Sequence, residues 1–393
     1  MRCSMKNILT INPGSTSTKL AYYHDDNLVL EQSLVFPKPE NHGSVHVLDE
    51  FDARMESIRD FLKENHIDLA DIDIFVSRGG APGRVDYGAY VIDKRVVQEL
   101  AFSDAGTYHA SNLAPILAFS LAQEAGGKPA IFYDAVAADM AGPLAHISGI
   151  PGVERHVGCH NLNTRMVGRE AAQQLGKKYE DCKLVIAHLG GGISVSAHDH
   201  GIIQDSVMCD EGPMGPQRAG RVSFIKMMMM CYKEGKTLQD MQRITDAGGL
   251  LSYFHVDTMI ELEKLIEAGD LDAEFMYQVM AYQVAKAIGE MFTVLMSEAD
   301  AIVLTGGVAN SKLFTGWLKE RVGKLAPVLV IPGEREMLAL ARGGLRVLNG
   351  EEAAKHYTTL PEGFDSMDAY ITHFKAARPE LLDRPAVKQL LAL

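Results

Sequence analysis

Near the start of the chain, two apolar segments are joined by a turn of small and hydroxylated residues, Asn12-Pro13-Gly14-Ser15-Thr16-Ser17-Thr18-Lys19. A glycine lets the backbone approach a polyanion and adopt positive φ, while hydroxyl groups donate hydrogen bonds and Lys19 supplies a mobile positive charge. This composition predicts a loop that holds phosphate groups. An ordinary Ser/Thr-rich hairpin turn is the alternative, and composition alone favours it.

Two more glycine-rich turns follow apolar segments later in the chain. The first, Leu189-Gly190-Gly191-Gly192, comes after residues 184–188, and the second, Thr305-Gly306-Gly307, comes after residues 302–304. Three such turns would place backbone N–H groups around a triphosphate and a glycine surface under an adenine ring. The sequence contains neither a G-x-x-x-x-G-K-[ST] nor a G-x-G-x-x-G motif, so the turns indicate a nucleotide site of another type.

The apolar pattern predicts the elements that position these turns. It favours strands at 8–11, 20–23 and 28–36, a helix at 52–65, and buried strands at 72–76 and 130–133. The order of strand, glycine turn and strand recurs at 184–188 and 193–197, which indicates a weak internal duplication. Chance recurrence of a common hairpin is the alternative. A long amphipathic helix at 275–296 precedes the third turn.

Composition places the chain among globular proteins. Its 393 residues, 47% apolar and 23% charged, are enough for two or three domains. A net charge of −13 argues against non-specific attraction to nucleic acid or to an anionic membrane. The five cysteines form no C-x-x-C pair, and no signal segment or apolar run of about eighteen residues occurs. We therefore expect a cytoplasmic protein with reduced thiols and no membrane span.

Together, the three turns resemble those of the acetokinase family, the acetate and butyrate kinases, within the larger group of actin-like ATPase folds. The resemblance covers about residues 7–350, with Gly191 at a position where acetate kinases usually carry Asn. It implies that ATP or ADP is bound by the residues of the three turns: Asn12, Gly14, Ser15, Ser17, Lys19, His188, Gly190, Gly191, Gly192, Gly306, Gly307 and Asn310.

The same resemblance implies a fold and a domain organisation. The fold is α/β, with two duplicated actin-like (ribonuclease H-like) domains and a nucleotide cleft between them. We expect an N-terminal domain at 1–147 that also takes in a C-terminal helix at about 337–356, a nucleotide-binding domain at 148–336, and an appendage at 357–393. Relatives pair as two-fold dimers, so a homodimer or a higher homo-oligomer is expected.

By the same resemblance, Arg78 clamps the carboxylate of the substrate, and Arg218 and His160 stabilise the phosphoryl group in transfer. Asp134 orients the site near the metal. Mg²⁺ is held through water by Glu336 together with Asn12, and Glu334 is the less favoured alternative to Glu336, because magnesium keeps most of its water ligands. Without the resemblance, each arginine would more often be a surface ion-pair partner.

A physical argument separates this chemistry from that of a sugar kinase. A sugar hydroxyl must lose a proton and needs a general base, whereas a fatty acid with a pKa of about 4.3 is already an anionic nucleophile at pH 7. Bringing two anions together requires charge neutralisation instead. Arginine supplies this with a permanently charged, planar fork, so the arginine, histidine and metal set suits a carboxylate substrate.

The preferred substrate is argued from two small residues. Gly80 and Cys159 stand where relatives carry larger side chains, and if these positions line the acyl pocket, the space admits a longer acid. The segments 109–113 and 147–151 also resemble butyrate kinases more than acetate kinases. We expect butyrate or a branched C4–C5 acid. An acetate or propionate kinase, a sugar or polyol kinase and an actin-like ATPase are the alternatives.

Overall fold

The computed structural model describes residues 5–14, 17–36, 47–80, 83–102, 110–208, 211–361 and 363–393. The chain divides into two compact units. Unit 1 contains Met1–Asp139 and Glu336–Leu393, and unit 2 contains Met140–Arg335. Unit 2 begins at residue 140, whereas the sequence predicts 148, and residues 357–393, predicted as an appendage, are part of unit 1.

Both units contain helices and strands. In chain order they are β1 (Asn7–Pro13), β2 (Ser17–His24), β3 (Asn27–Val35), α1 (Phe51–Glu64), β4 (Ile74–Arg78), β5 (Ala89–Val91), α2 (Lys94–Ala101), α3 (Leu113–Glu124), β6 (Ala130–Tyr133), α4 (Pro143–His146), α5 (Asn161–Gln174), β7 (Lys183–Leu189), β8 (Ile193–Asp199), β9 (Ile202–Met208), α6 (Phe224–Tyr232), α7 (Leu238–Asp246), α8 (Met259–Glu267), α9 (Leu271–Val294), β10 (Ala301–Thr305), α10 (Lys312–Val322), β11 (Val328–Val330), α11 (Glu336–Leu348), α12 (Met367–Ala377) and α13 (Pro385–Leu391).

The two sheets share one topology over five strands, and β5 adds a sixth strand, antiparallel to β6, in unit 1. In unit 1 the strand order is β3-β2-β1-β4-β6-β5, with an antiparallel meander of β1, β2 and β3 and parallel pairing of β1, β4 and β6. In unit 2 the order is β11-β10-β7-β8-β9, with an antiparallel meander of β7, β8 and β9 and parallel pairing of β7, β10 and β11. The expected duplication of an α/β half is therefore confirmed.

The parallel strands of unit 1 are buried because helices cover both faces of the sheet. Helix α3 packs on β1, β4 and β6, and α11 also packs on these three strands. The approach of α11 is close: a Cβ on Gly343 would lie 2.5 Å from the ring of Tyr133, and one on Gly344 would lie 2.6 Å from a methyl group of Val76. Glycine at these two positions therefore allows the helix to lie on the sheet.

Several predicted bounds differ from the structure. The strand predicted at 72–76 is Ile74–Arg78, so Arg78 ends a strand and does not follow one. The helix predicted at about 337–356 ends at Leu348, because Gly350 has a φ of 72° and turns the chain. Beyond that turn, Lys355 pairs with β5: its backbone N–H donates to Ala89 and its carbonyl accepts from Val91, both at 2.9 Å.

The residues after 357 pack against α2. The rings of Phe374 and Phe102 stack with their centroids 4.5 Å apart, and the side-chain amide of Gln98 donates to the carbonyl of Leu390 at 3.1 Å. The hydroxyl of Tyr370 donates to the carbonyl of Glu99. In the ranges given above, no helix is both long and apolar enough to cross a membrane.

A buried histidine in unit 2 makes the stability of this unit depend on pH. Nδ1 of His198 is hydrogen-bonded to the Tyr179 hydroxyl at 2.7 Å, and its Nε2 is hydrogen-bonded to the Ser196 hydroxyl at 2.8 Å. Burial, together with the positive charges of Arg165 and Arg169, lowers the pKa of His198 from 6.5 to about 3. At a pH between these two pKa values, His198 is protonated in the unfolded chain and neutral in the folded unit. Lowering the pH therefore favours unfolding.

We expect the free energy of unfolding of unit 2 to fall by about 2 kcal/mol between pH 6.5 and pH 5 through His198 alone. Urea unfolding followed by the fluorescence of Trp317, the single tryptophan of the sequence, measures it, because this residue lies in α10 of unit 2. His198→Gln should be less stable at pH 7 but show a flatter dependence on pH. His200→Gln, at an exposed position, is the control, and an equal flattening in that variant would contradict the assignment.

Candidate active site

The first turn joins β1 and β2 in unit 1. Its backbone closes through Gly14, whose N–H donates to the carbonyl of Ser17 at 2.7 Å. Asn12 and Lys19 lie directly opposite one another in the antiparallel ladder, which places their side chains on the same face of the sheet. The turn therefore presents an amide and an ammonium group together. The predicted ligand Ser15 lies outside the described residues.

A buried arginine braces this turn, and the sequence analysis missed it. The side chain of Arg54 on α1 is fully buried and donates to the carbonyls of Gly14 at 2.9 Å and Ser17 at 3.1 Å and to the hydroxyl of Thr18 at 2.7 Å. Its charge is balanced by Glu50 at 2.5 Å. A signal was present: Arg54 lies four residues before Ile58, on the apolar face of the predicted helix.

Arg78 ends β4 at the same edge of the sheet as the first turn. Its side chain is 24% exposed, and a terminal nitrogen lies 3.7 Å from a carboxylate oxygen of Glu336. The Nε atom is buried and has no hydrogen-bond partner among the described residues. A buried N–H without an acceptor costs free energy. Arg78 is therefore suited to binding an anionic ligand that accepts this hydrogen bond.

Glu336 is the first residue of α11, and its Oε2 accepts a hydrogen bond from the amide of Asn12 at 2.7 Å. A carboxylate only accepts hydrogen bonds, so the amide nitrogen of Asn12 faces Glu336 and its oxygen is directed elsewhere. One carboxylate and one amide oxygen fit Mg²⁺, which binds few protein ligands and keeps water. No cluster of three metal-binding side chains occurs among the residues described. Glu334 is exposed and lies in unit 2.

Asp134 follows β6 in a backbone conformation that a non-glycine residue rarely adopts. Its φ is 41°, and its Oδ1 accepts a hydrogen bond from the N–H of Gly88 at 2.8 Å. Tyr133 pairs with Arg78 in the parallel register of β6 and β4, so Asp134 comes one residue beyond this pair. Such strain persists where the surrounding structure imposes it, often at functional sites.

A second residue that the sequence analysis missed holds this strained corner. The carboxylate of Glu352 accepts hydrogen bonds from the N–H of Ala89 at 2.9 Å, the hydroxyl of Tyr133 at 2.8 Å and Nε of Arg346 at 3.1 Å. The guanidinium of Arg346 also donates to the Tyr133 hydroxyl at 2.5 Å. Glu352 thereby links β5 to the side chain of Tyr133, the residue before Asp134.

In unit 2, the second and third turns come together because β7 and β10 pair in parallel. His188 lies opposite Thr305 in the register of these two strands. Gly306 has a φ of 88°, and a Cβ on it would lie 2.5 Å from the carbonyl oxygen of Leu189. The two glycine turns therefore touch through their backbones, as the nucleotide hypothesis requires.

The glycines of the second turn contact the loop that carries Arg218. The N–H of Gln217 donates to the carbonyl of Gly191 at 2.8 Å. A Cβ on Gly191 would lie 2.6 Å from the side-chain oxygen of Gln217, and one on Gly192 would lie 3.5 Å from Cγ of Arg218. Gln217 thus occupies the space beside Gly191 into which a larger residue would extend.

Two histidines of unit 2 lie face to face. The rings of His160 and His188 stack with their centroids 3.9 Å apart and an interplanar angle of 16°. Nδ1 of His160 is hydrogen-bonded to the hydroxyl of Ser194 at 2.8 Å. The structure therefore brings His160, His188 and the second turn into one group.

Arg218 is 38% exposed, and its Nε lies 3.5 Å from a carboxylate oxygen of Asp246.

Asn310 lies within the third turn, and its contact with the nucleotide stays a prediction. Its side-chain amide donates to the carbonyl of Gly307 at 2.9 Å, so it closes the third turn locally.

The two predicted acyl-pocket residues, Cys159 and Gly80, are packed tightly. A Cβ on Gly80 would lie 2.6 Å from Oδ1 and 2.9 Å from Cα of Asn112, and the thiol of Cys159 contacts Oδ1 of Asn161 at 3.1 Å. Their role in an acyl pocket remains a prediction.

The two sheets and the helices that cover them form a two-domain α/β fold of the actin-like ATPase class. Residues 146–360, more than half of the chain, match the family model described as the acetokinase family. The chain therefore belongs to the acetokinase family, a family of carboxylate kinases that use ATP.

Solved structures of such kinases have the same fold. A propionate kinase from Francisella tularensis subsp. tularensis SCHU S4 superimposes with a TM-score of 0.69 at 19% identity, covering 86% of this chain and 99% of its own. Porphyromonas gingivalis acetate kinase gives 0.69 at 19% identity, covering 85% and 98%. Acetate kinase from Entamoeba histolytica gives 0.67 at 18% identity, covering 86% and 98%. At these identities the likeness shows the fold.

Proposed function

We propose that this protein is a short-chain fatty acid kinase that transfers the terminal phosphoryl group of ATP to the carboxylate of butyrate or of a branched C4–C5 acid. The products are an acyl phosphate and ADP, and the reaction is reversible. The small residue Cys159 and the resemblance of segments 109–113 and 147–151 to butyrate kinases support this acyl length. Acetate or propionate is the alternative acid within the same family.

The observation that carries the proposal is the unpaired Nε of Arg78. A guanidinium binds a carboxylate side-on through Nε and one terminal nitrogen, in two parallel hydrogen bonds. Glu336 lies 3.7 Å from a terminal nitrogen and leaves Nε without a partner among the described residues. A carboxylate substrate is the ligand that satisfies this buried donor.

The remaining groups have roles that need no general base. An ionised acid is already a nucleophile, so the protein must hold it and neutralise charge on the phosphoryl group. We assign the acid to Arg78 and the transferring group to His160 and Arg218. Asp134 orients the site, and the glycine turns of unit 2 bind the nucleotide. Mg²⁺, held by Glu336 through water with Asn12 beside it, supplies further neutralisation when bound.

The test is ADP release across straight and branched acids from C2 to C6, with hydroxylamine present to trap the acyl phosphate as a hydroxamate. We expect the highest kcat/KM with a C4 or C5 acid and hydroxamate formed in proportion to ADP. A maximum with acetate or propionate would refute the proposed chain length. Phosphorylation of a sugar or polyol without hydroxamate would refute the carboxylate chemistry, and ATP hydrolysis without an acceptor would favour an actin-like ATPase.

A matched pair of variants excludes a contaminating kinase in this assay. Arg218→Ala removes a proposed phosphoryl ligand and should lower kcat by about 10²-fold or more. Arg243→Ala removes a more exposed arginine of the same unit, which reaches Asp240 at 3.9 Å, and should leave the activity unchanged. Equal activities in the two preparations would show that another enzyme produces the signal.

Assembly as a homodimer or a higher homo-oligomer in the cytoplasm is part of the proposal. Helix α6 of unit 2 supports assembly, because none of its nine side chains is buried in the described chain. Phe224, Ile225 and Tyr232 on it are each more than half exposed. Sedimentation would show a small fixed oligomer, and filaments formed with ATP would contradict it.

A further inference from the structure

Asn163 connects three parts of unit 2 from a fully buried position on α5. Its Oδ1 accepts a hydrogen bond from the backbone N–H of Arg335 at 2.7 Å. Its Nδ2 lies 2.8 Å from Nδ1 of His188 and 3.4 Å from the hydroxyl of Thr305. Asn163 therefore links the strand of the second turn, the strand of the third turn and the chain just before α11.

The backbone contact decides which way the amide of Asn163 points. A backbone N–H can only donate, so the atom facing Arg335 must be the amide oxygen. The atom facing His188 is then the amide nitrogen, which can only donate. Nδ1 of His188 must accept this hydrogen bond and carries no proton. In a neutral imidazole the proton is therefore on Nε2.

Nε2 of His188 lies at the second glycine turn. A Cβ on Gly190 would be only 2.8 Å from this atom. The ring of His160 stacks on one face of the His188 ring, with the two ring centroids 3.9 Å apart. A second proton on His188 would oppose the Asn163 amide donor and would place two cations face to face if His160 is charged.

We propose that Asn163 is a positioning residue that fixes His188 in the Nε2–H tautomer, so that a donor and not a lone pair faces the turn Gly190–Gly192. His188 therefore stays neutral beneath the ring of His160. The tautomer follows from the protein contacts alone, whereas its value for phosphate binding rests on the proposed function. Asn163 thus acts on the reaction through His188.

The test replaces the amide by a carboxylate of the same shape. In Asn163→Asp, one oxygen can still accept from Arg335, and the other faces Nδ1 of His188, which must then carry a proton. NMR of protein labelled with ¹⁵N in the histidine rings reads this directly, and the resonances of His188 are assigned by their loss in His188→Gln. We expect a protonated Nε2 and an unprotonated Nδ1 in the natural protein, and a protonated Nδ1 in Asn163→Asp.

Kinetics give the second readout. Asn163→Asp should lower kcat by about 10²-fold, the usual effect of one misplaced donor, with the KM for the acid changed by less than about threefold. Gln173→Glu, the same amide-to-carboxylate change at an exposed position of α5, is the matched control and should behave like the natural protein in both measurements. Thr305→Val controls the NMR result, because it removes the other Nδ2 contact and should leave Nδ1 of His188 unprotonated.

The tautomer of His188 and the positioning role of Asn163 are tested by different outcomes. A proton on Nδ1 of His188 in the natural protein would overturn the tautomer assignment, whatever the enzyme does. An inverted tautomer in Asn163→Asp with unchanged kcat would overturn the positioning role. Failure of the proposed function would appear instead as a natural protein that forms no acyl phosphate from any acid, while the NMR result stands.

Discussion

Gly306→Ala is expected to lower kcat/KM for ATP by more than about 10²-fold and to weaken ADP binding in parallel. Gly306 has a φ of 88°, which L-residues rarely adopt, and an added Cβ would lie 2.5, 2.7 and 2.8 Å from three backbone atoms of Leu189. Backbone atoms cannot rotate away as a side-chain tip can. The substitution must therefore separate the second and third glycine turns.

Calorimetric titration with ADP and steady-state kinetics at varied ATP measure this effect. Gly316→Ala, in α10 of the same unit, is the matched control, because no atom lies within 4 Å of a Cβ there and the residue is not assigned to the site. We expect that variant to bind ADP within about threefold of the natural protein. If both variants bound ADP equally well, the contact between the two turns would not support the nucleotide site.

Gly306 also illustrates what local sequence patterns predict well. An apolar strand that ends in glycines marks the carboxyl end of a parallel strand, and three such patterns gave the three turns and the duplication of the fold. The register of β7 with β10, which places Thr305 opposite His188, then brings two of these turns together within unit 2. Each of these signals, a short apolar run followed by glycines, lies within a few consecutive residues.

The residues that support the site were harder to find because their partners are distant in sequence. Glu352 contacts Tyr133 across 219 positions, and Asn163 contacts Arg335 across 172. No periodicity links such pairs. The left-handed conformation of Asp134 likewise depends on its bonds to Gly88, and no local preference predicts it. Arg54 is the exception, since its place on the apolar face of α1 was a readable signal.

The packing of the predicted acyl-pocket residues changes how their role is tested. The space that a side chain at position 80 would enter is filled by Asn112 and by Leu100, 3.1 Å from the added Cβ. Gly80→Val would therefore disturb the packing of unit 1 before it changed any pocket. The acid series on the natural protein is the sharper measurement of chain-length preference.

Arg78→Met is expected to lower kcat/KM for the acid by about 10³-fold while leaving the KM for ATP within about threefold, because the acid loses its bidentate ligand. Methionine matches the apolar stem of arginine in length and removes the buried N–H that has no partner among the described residues. Leaving such a donor unsatisfied costs about 1 to 3 kcal/mol, so the melting temperature should stay the same or rise. Lost activity without lost stability is the signature of a group held ready for a ligand.

Arg78→Lys separates charge from geometry, since lysine keeps the charge but lacks the planar fork. It should retain more activity than Arg78→Met and still fall well below the natural protein. Arg84→Met is the matched control: this arginine is 56% exposed and lies 3.7 Å from Asp139, so its replacement should leave the kinetics unchanged. An Arg78→Met variant with a normal KM and kcat for the acid would remove the carboxylate clamp from the mechanism.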